Sequence, residues 1–136
     1  MTKRDVLENR VSLVKKYLSY LQEFQKYSDS EILGNIITLG ALERYLYLVT
    51  DSAIELAEVV ISLRGLRKPV SLAESFEVLG ENRLISHELS ARLVNMAKFR
   101  NVMAHLYAKI DYVKVLNIYH NHLQDITEFI TVVEKL

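Results

Sequence analysis

Between Phe99 and Asp111 the chain reads Phe-Arg-Asn-Val-Met-Ala-His-Leu-Tyr-Ala-Lys-Ile-Asp, and Arg100, Asn101, His105 and Tyr107 within it carry groups suited to phosphodiester chemistry. Cutting RNA without a metal needs a base for the ribose 2′-hydroxyl proton, an acid for the leaving oxygen, and a cation to offset charge on the phosphorane. Imidazole titrates near neutral pH, so two copies of His105 from a symmetric pair can divide the base and acid roles. Arg100 is permanently charged and can bond two phosphate oxygens at once, which makes it a better phosphate holder than Lys. Asn101 can orient the imidazole or bond a phosphate oxygen.

Spacing constrains how these groups meet. Arg100 and His105 are five residues apart, so their side chains diverge by about 140° around an ideal helix. Asn101 and His105, at i and i+4, share a face, and Arg100 and Tyr107, at i and i+7, nearly share another. One helix alone does not aim all four at a point, whereas a cleft between two copies uses both faces. A structural reading stands beside the chemical one. Arg-Asn near a helix end, followed by His, can form a network that caps carbonyls and fixes the next turn. Tyr107 can pack its ring with the hydroxyl reaching water.

Other chemistry is thinly supported. His87 reads as a surface residue at a helix start, and His120-Asn121-His122 sets two imidazoles about 200° apart, a poor arrangement for one metal. Met96 and Met103 suit core or subunit interface better than a cofactor pocket. There is no Gly-rich phosphate loop, nucleophile elbow or HExxH motif, so neither metal nor cofactor is expected. Seventeen basic against seventeen acidic residues give no net charge, which argues against coating nucleic acid or an anionic membrane by bulk electrostatics. A local basic patch is compatible with that balance. The absence of Cys excludes disulfides, thiolate nucleophiles and Cys-based zinc sites. Met1–Glu8 has no apolar h-region and no later apolar run spans a membrane, so the expectation is a soluble, cytoplasmic protein.

The elements that must position the motif are helical. Four Gly and one Pro leave an all-β chain of 136 residues without its turns. Leu7, Val11, Val14, Leu18 and Leu21 alternate steps of four and three, predicting a first helix from roughly Lys3 to Tyr27. Ser28-Asp29-Ser30-Glu31 supplies a capped break. Leu39, Leu42, Leu46, Val49, Ala53, Leu56, Val60 and Leu63 then predict a long second helix. Arg64-Gly65-Leu66-Arg67-Lys68-Pro69-Val70 is the main loop and a candidate basic edge. Ser71-Leu72-Ala73-Glu74 matches a capping box for a short helix that Gly80 can end. Ser86-His87-Glu88-Leu89 opens a helix striped by Leu89, Leu93, Met96, Met103 and Tyr107, with Arg100 inside the stripe. After Asp111 a last helix carries Val113, Leu116, Leu123, Ile126, Ile130 and Val133. The sum is one all-α domain over 1–136, an up-and-down bundle of four long helices plus one short crossing helix.

The Phe99–Asp111 string resembles the signature of the HEPN superfamily, an Arg, a polar residue, a short spacer and a His. The fuller pattern Arg-Asn-x-x-x-His-x-Tyr is similar to that of its HepT group. The likeness extends to Ala41-Leu42-Glu43-Arg44-Tyr45-Leu46 at the start of the long helix, to Lys68-Pro69-Val70-Ser71 entering the short helix that ends near Leu79-Gly80, and to the closing helix. The resemblance implies a bundle that forms a homodimer through the motif helices. Two copies of Arg100, Asn101 and His105 would then surround one RNA-cutting cleft that uses no metal. It implies a toxin, encoded with a small MntA-type nucleotidyltransferase antitoxin that can transfer AMP to Tyr107. That adduct would put bulk and negative charge where RNA phosphate should sit. The group often carries an acidic residue on the second helix facing the motif, and Glu43, Asp51, Glu55 and Glu58 all compete for that place. Two other readings remain: a non-catalytic nucleotide- or protein-binding helical module whose motif is a structural cap, and a chain that serves mainly as the regulated target of a transferase.

Overall fold

The computed structural model describes residues 1–104 and 111–136, and among these every regular element is helical. The helix α1 (Lys3–Gln22) starts from a capping box in which Thr2 Oγ1 accepts the Asp5 N–H at 3.1 Å and Asp5 Oδ2 accepts the Thr2 N–H at 3.0 Å. It stops short of Tyr27. The chain tightens into a 3₁₀ turn at Glu23–Lys26, which buries Phe24 edge-on to Tyr45 and Tyr119. Tyr27 is extended, and a second box between Ser28 and Glu31 starts the short α2 (Asp29–Leu33).

The long helix α3 (Ile36–Arg64) is the post around which the bundle is built. Asn35 Oδ1 accepts the N–H groups of Ile37 and Thr38 at 3.0 and 3.2 Å, and Gly65 closes the other end at φ 64°, a conformation that favours glycine. Leu42, Leu46, Val49, Ala53, Leu56 and Val60 are buried along it, and α3 packs against α1, α2, α4, α5 and α7. The described residues of the expected stripes of the first, second and motif helices lie in this core or pack against it, and Tyr107 lies outside the described residues.

Three local expectations need correction. Ser71 Oγ does accept the Glu74 N–H, at 3.2 Å, but the Glu74 carboxylate accepts the Val70 N–H at 2.8 Å and bonds Arg67, and α4 (Glu74–Glu81) begins two residues later than a Ser71 cap implies. Gly80 lies inside α4 and does not end it. It permits close approach to α5 (His87–Ala104): a Cβ there would meet Ser90 Oγ at 2.8 Å and Ser90 Cβ at 2.9 Å. The single closing helix is two, α6 (Tyr112–Asn121) and α7 (Leu123–Glu134), parted at His122. Among the described residues the four-plus-one arrangement is therefore seven α-helices of the same bundle class. Among the described residues no helix is long and apolar enough to cross a membrane.

Gly80→Ala is expected to lower the thermal midpoint. Overpacking costs about 1–3 kcal/mol and exceeds the gain of about 1 kcal/mol in helix propensity, since the obstructing Ser90 Cβ cannot swing away. Pairing it with Ser90→Gly should recover much of the loss in a thermal melt, and an unchanged midpoint for Gly80→Ala alone would contradict this packing.

Candidate functional site

On α3, Arg44, Tyr47 and Asp51 stand at i, i+3 and i+7, one face of the helix beside the buried stripe. Arg100 of α5 meets that face. Its Nε and Nη2 donate to Asp51 Oδ1 at 3.0 and 2.7 Å, Nη2 also donates to Tyr47 Oη at 2.9 Å, and Nη1 donates to Asn101 Oδ1 at 3.1 Å. These bonds engage four of the five guanidinium N–H donors. The guanidinium carbon also sits 4.8 Å from the centroid of the Tyr47 ring, within cation–π range. At 18% side-chain exposure for Arg100 and 28% for Asp51, the pair is shielded well beyond a surface salt bridge. Removing either partner would strand a charge, which costs about 3–5 kcal/mol at full burial and less at this exposure.

This geometry answers why a charge sits inside the α5 stripe. Among the described residues all four bonds of Arg100 go to side chains and none to a helix-terminal carbonyl. It also separates the four acidic candidates. Asp51 is the one bonded to the motif. Glu55 lies 3.7 Å from Arg10 of α1, and Glu43 is raised above the usual carboxylate range by burial. Glu58 is raised by partial desolvation first and then by the Glu55 and Asp51 carboxylates beside it.

Two members of this cluster were not singled out by sequence reasoning. Tyr47 bonds and stacks on Arg100, and Arg44, an exposed side chain, places its guanidinium carbon 5.4 Å from the same ring centroid. Their signal is the shared face with Asp51, which on a helix otherwise read for apolar spacing looks like ordinary surface. Two guanidinium groups share one ring there, with the Asp51 carboxylate bonded to one of them.

Arg100 and Asn101 are therefore brought together, with Asn101 exposed. His105 and Tyr107 lie outside the described residues. The remaining histidines are apart from this cluster in their bonding: His120 Nε2 is 2.7 Å from Asp29, His122 Nδ1 is 3.3 Å from Asp125, and His87 is exposed. Met96 and Met103 are core residues at 4% and 5% exposure. The expected basic edge is largely neutralised, because Arg67 forks onto Glu81 at 3.0 and 2.7 Å and reaches Glu74 at 2.6 Å. Those hydrogen bonds push the guanidinium pKa further up and hold both carboxyls below their usual range.

Comparison with known proteins follows the same lines. The chain is 28% identical over 131 residues to the mRNA nuclease HepT of Shewanella oneidensis, covering 96% of this chain and 97% of that one. It is 28% identical over 106 residues to the tRNA nuclease HepT of Aphanizomenon flos-aquae, covering 78% and 72% respectively. The fold superposes on the tri-AMPylated Shewanella oneidensis HEPN toxin, solved in complex with its MNT antitoxin, with a TM-score of 0.87, 25% identity and 100% of both chains covered. The family model for HepT-like ribonucleases matches residues 14–133, so the chain belongs to the HepT-like ribonuclease family.

Proposed function

We propose that this chain, as one helical domain over residues 1–136, is the toxin of a toxin–antitoxin pair, a metal-independent endoribonuclease that cuts cellular RNA in the cytoplasm. The observation that carries this reading is the Arg100 guanidinium, held between the Asp51 carboxylate and the Tyr47 ring and hydroxyl at one edge of the motif. A purely structural Arg needs only one carboxylate. Here the fixed cation has a second one, Arg44, exposed against the same ring, and a guanidinium at that edge is a group an RNA phosphate can meet.

In the proposed reaction, His105 of one copy takes the proton of the ribose 2′-hydroxyl, and the freed oxygen attacks the adjoining phosphorus. The bond to the 5′-oxygen breaks, leaving a cyclic phosphate, and His105 of the second copy protonates that leaving oxygen. Arg100 opposes the charge that builds on the phosphorane, Asp51 and Tyr47 hold it at a set angle, and Asn101 bonds a phosphate oxygen or the imidazole. Because each copy supplies one imidazole, the active form is a homodimer joined through the motif helices. The nuclease relatives support RNA as the substrate class. The tri-AMPylated relative in complex with an MNT antitoxin supports an MntA-type nucleotidyltransferase as partner and AMP as the group it adds, and Tyr107 of the motif is the proposed acceptor. Each phosphate so added brings negative charge into the motif and competes with the substrate phosphate.

Replacing the imidazole is the direct test of the chemistry. His105→Ala, with its melting curve intact, should cut RNA at least about a hundredfold more slowly and no longer arrest growth; undiminished cleavage would remove His105 from the mechanism. For the regulation, intact mass after incubation with a candidate nucleotidyltransferase and ATP should rise by whole AMP units in the wild type and stay unchanged in Tyr107→Phe. Equal mass gain in both would move the acceptor elsewhere.

A further inference from the structure

A cavity of about 300 Å³ lies between α5 and α6, the two helices that flank the motif segment in the chain. From α5 it is lined by Arg92, Asn95 and Phe99, from α6 by Lys114 and Asn117, and at the α6–α7 corner by His122. Five of its eight lining side chains are polar or charged. Phe99 is directly before Arg100 and Asn95 five residues before it, within about 8 Å along the helix axis and about 100° and 140° around it, so the groove flanks the Arg100 face of α5.

The wall of this groove is fixed from beneath. Asp125, a carboxylate at 8% side-chain exposure that the proposed reaction does not use, accepts Arg92 Nε at 2.8 Å and lies 3.3 Å from His122 Nδ1. Arg92 Nη2 also reaches Glu128 at 3.5 Å. One buried acid thus ties α5, the corner and α7 into a rigid frame, while the Asn117 amide oxygen is held by Asn121 at 2.7 Å. A partly buried aromatic ring, two amides and a lysine then line one cleft. Aromatic rings stack on nucleobases, side-chain amides pair with base edges, and lysine meets phosphate.

We propose that this groove is a nucleobase subsite for the RNA, seating a base next to the cut, with Phe99 stacking on it, Asn95 and Asn117 reading its edge and Lys114 meeting the adjoining phosphate. The proposal rests on the endoribonuclease reading and adds to it a source of sequence preference. A second copy of the chain seated in the groove is the competing occupant; a largely apolar floor that includes Phe99, Met96 and Ile118, edged by amides and cations, fits the flat face and polar rim of a base better than a continuous apolar contact.

The test uses oligoribonucleotides in which each nucleotide flanking the cut is replaced in turn by an abasic ribose. Wild type should lose roughly tenfold in cleavage at one flanking position. Asn95→Ala/Asn117→Ala, two exposed positions whose change should leave the melting curve unaltered, should cut the intact oligonucleotide more slowly by a similar factor and be indifferent to the abasic site at that position. If wild type cuts every member equally, or the variant keeps the wild-type profile, the subsite is overturned while the ribonuclease stands. A variant that sediments as a monomer where wild type does not assigns the groove to subunit contact and overturns it too. Wild type that cuts no RNA sinks the ribonuclease reading, and the subsite with it.

Discussion

The bond from Arg100 to Asp51 joins two helices through residues 49 apart in the chain, and the rest of the site is organised by it. A permanently charged group in the apolar stripe of α5 is tolerable only if a carboxylate and further acceptors meet it there. The long α3 supplies them on consecutive turns, the hydroxyl and ring of Tyr47 and then the carboxylate of Asp51. With both guanidinium donors on one side converging on a single carboxylate oxygen, the planar group cannot rotate without losing two charge-assisted bonds. Orientation, more than binding strength, is what this arrangement provides.

That constraint explains why α3 is built as it is. Asn35 and Gly65 cap a helix of 29 residues, and the apolar row from Leu39 to Ile61 locks it against its neighbours. Tyr47 and Asp51 therefore inherit a fixed position from the core. The charge balance follows the same economy. The chain is neutral as a whole, yet Arg67 is committed to Glu74 and Glu81, Arg92 to Asp125 and Glu128, and Arg10 to Glu55, while Arg100, paired with Asp51, shares the Tyr47 ring with Arg44.

Much of this was legible in the sequence, and the reasons it was not all legible are physical. Apolar steps of three and four dictate which face of a helix is buried, so the stripes of α1, α3 and α5 could be read directly. Breaks set by tertiary fit could not. Phe24 turns the end of α1 into a 3₁₀ turn to reach Tyr45 and Tyr119, Gly80 stays helical because Ser90 needs its space, and His122 parts α6 from α7 although the apolar spacing continues across it. At the site, Arg100 stood out because a charge is costly in a helix stripe, and Asn101 because it shares a face with His105 in the motif. Asp51 was one of four equal candidates, since choosing among acids on one helix requires knowing which turn the other helix crosses. Arg44 and Tyr47 gave no signal alone, because their meaning comes from the guanidinium brought to them from another helix.

The central claim is that Arg100 and Asp51 act as one unit in RNA cleavage, and a double-mutant cycle on the cleavage rate tests it most directly. Groups that work together lose about as much singly as jointly. Arg100→Ala, Asp51→Ala and the pair combined, each confirmed as folded, should all fall to a similar residual rate. Losses that multiply in the double variant, or full activity in Asp51→Ala, would contradict the account.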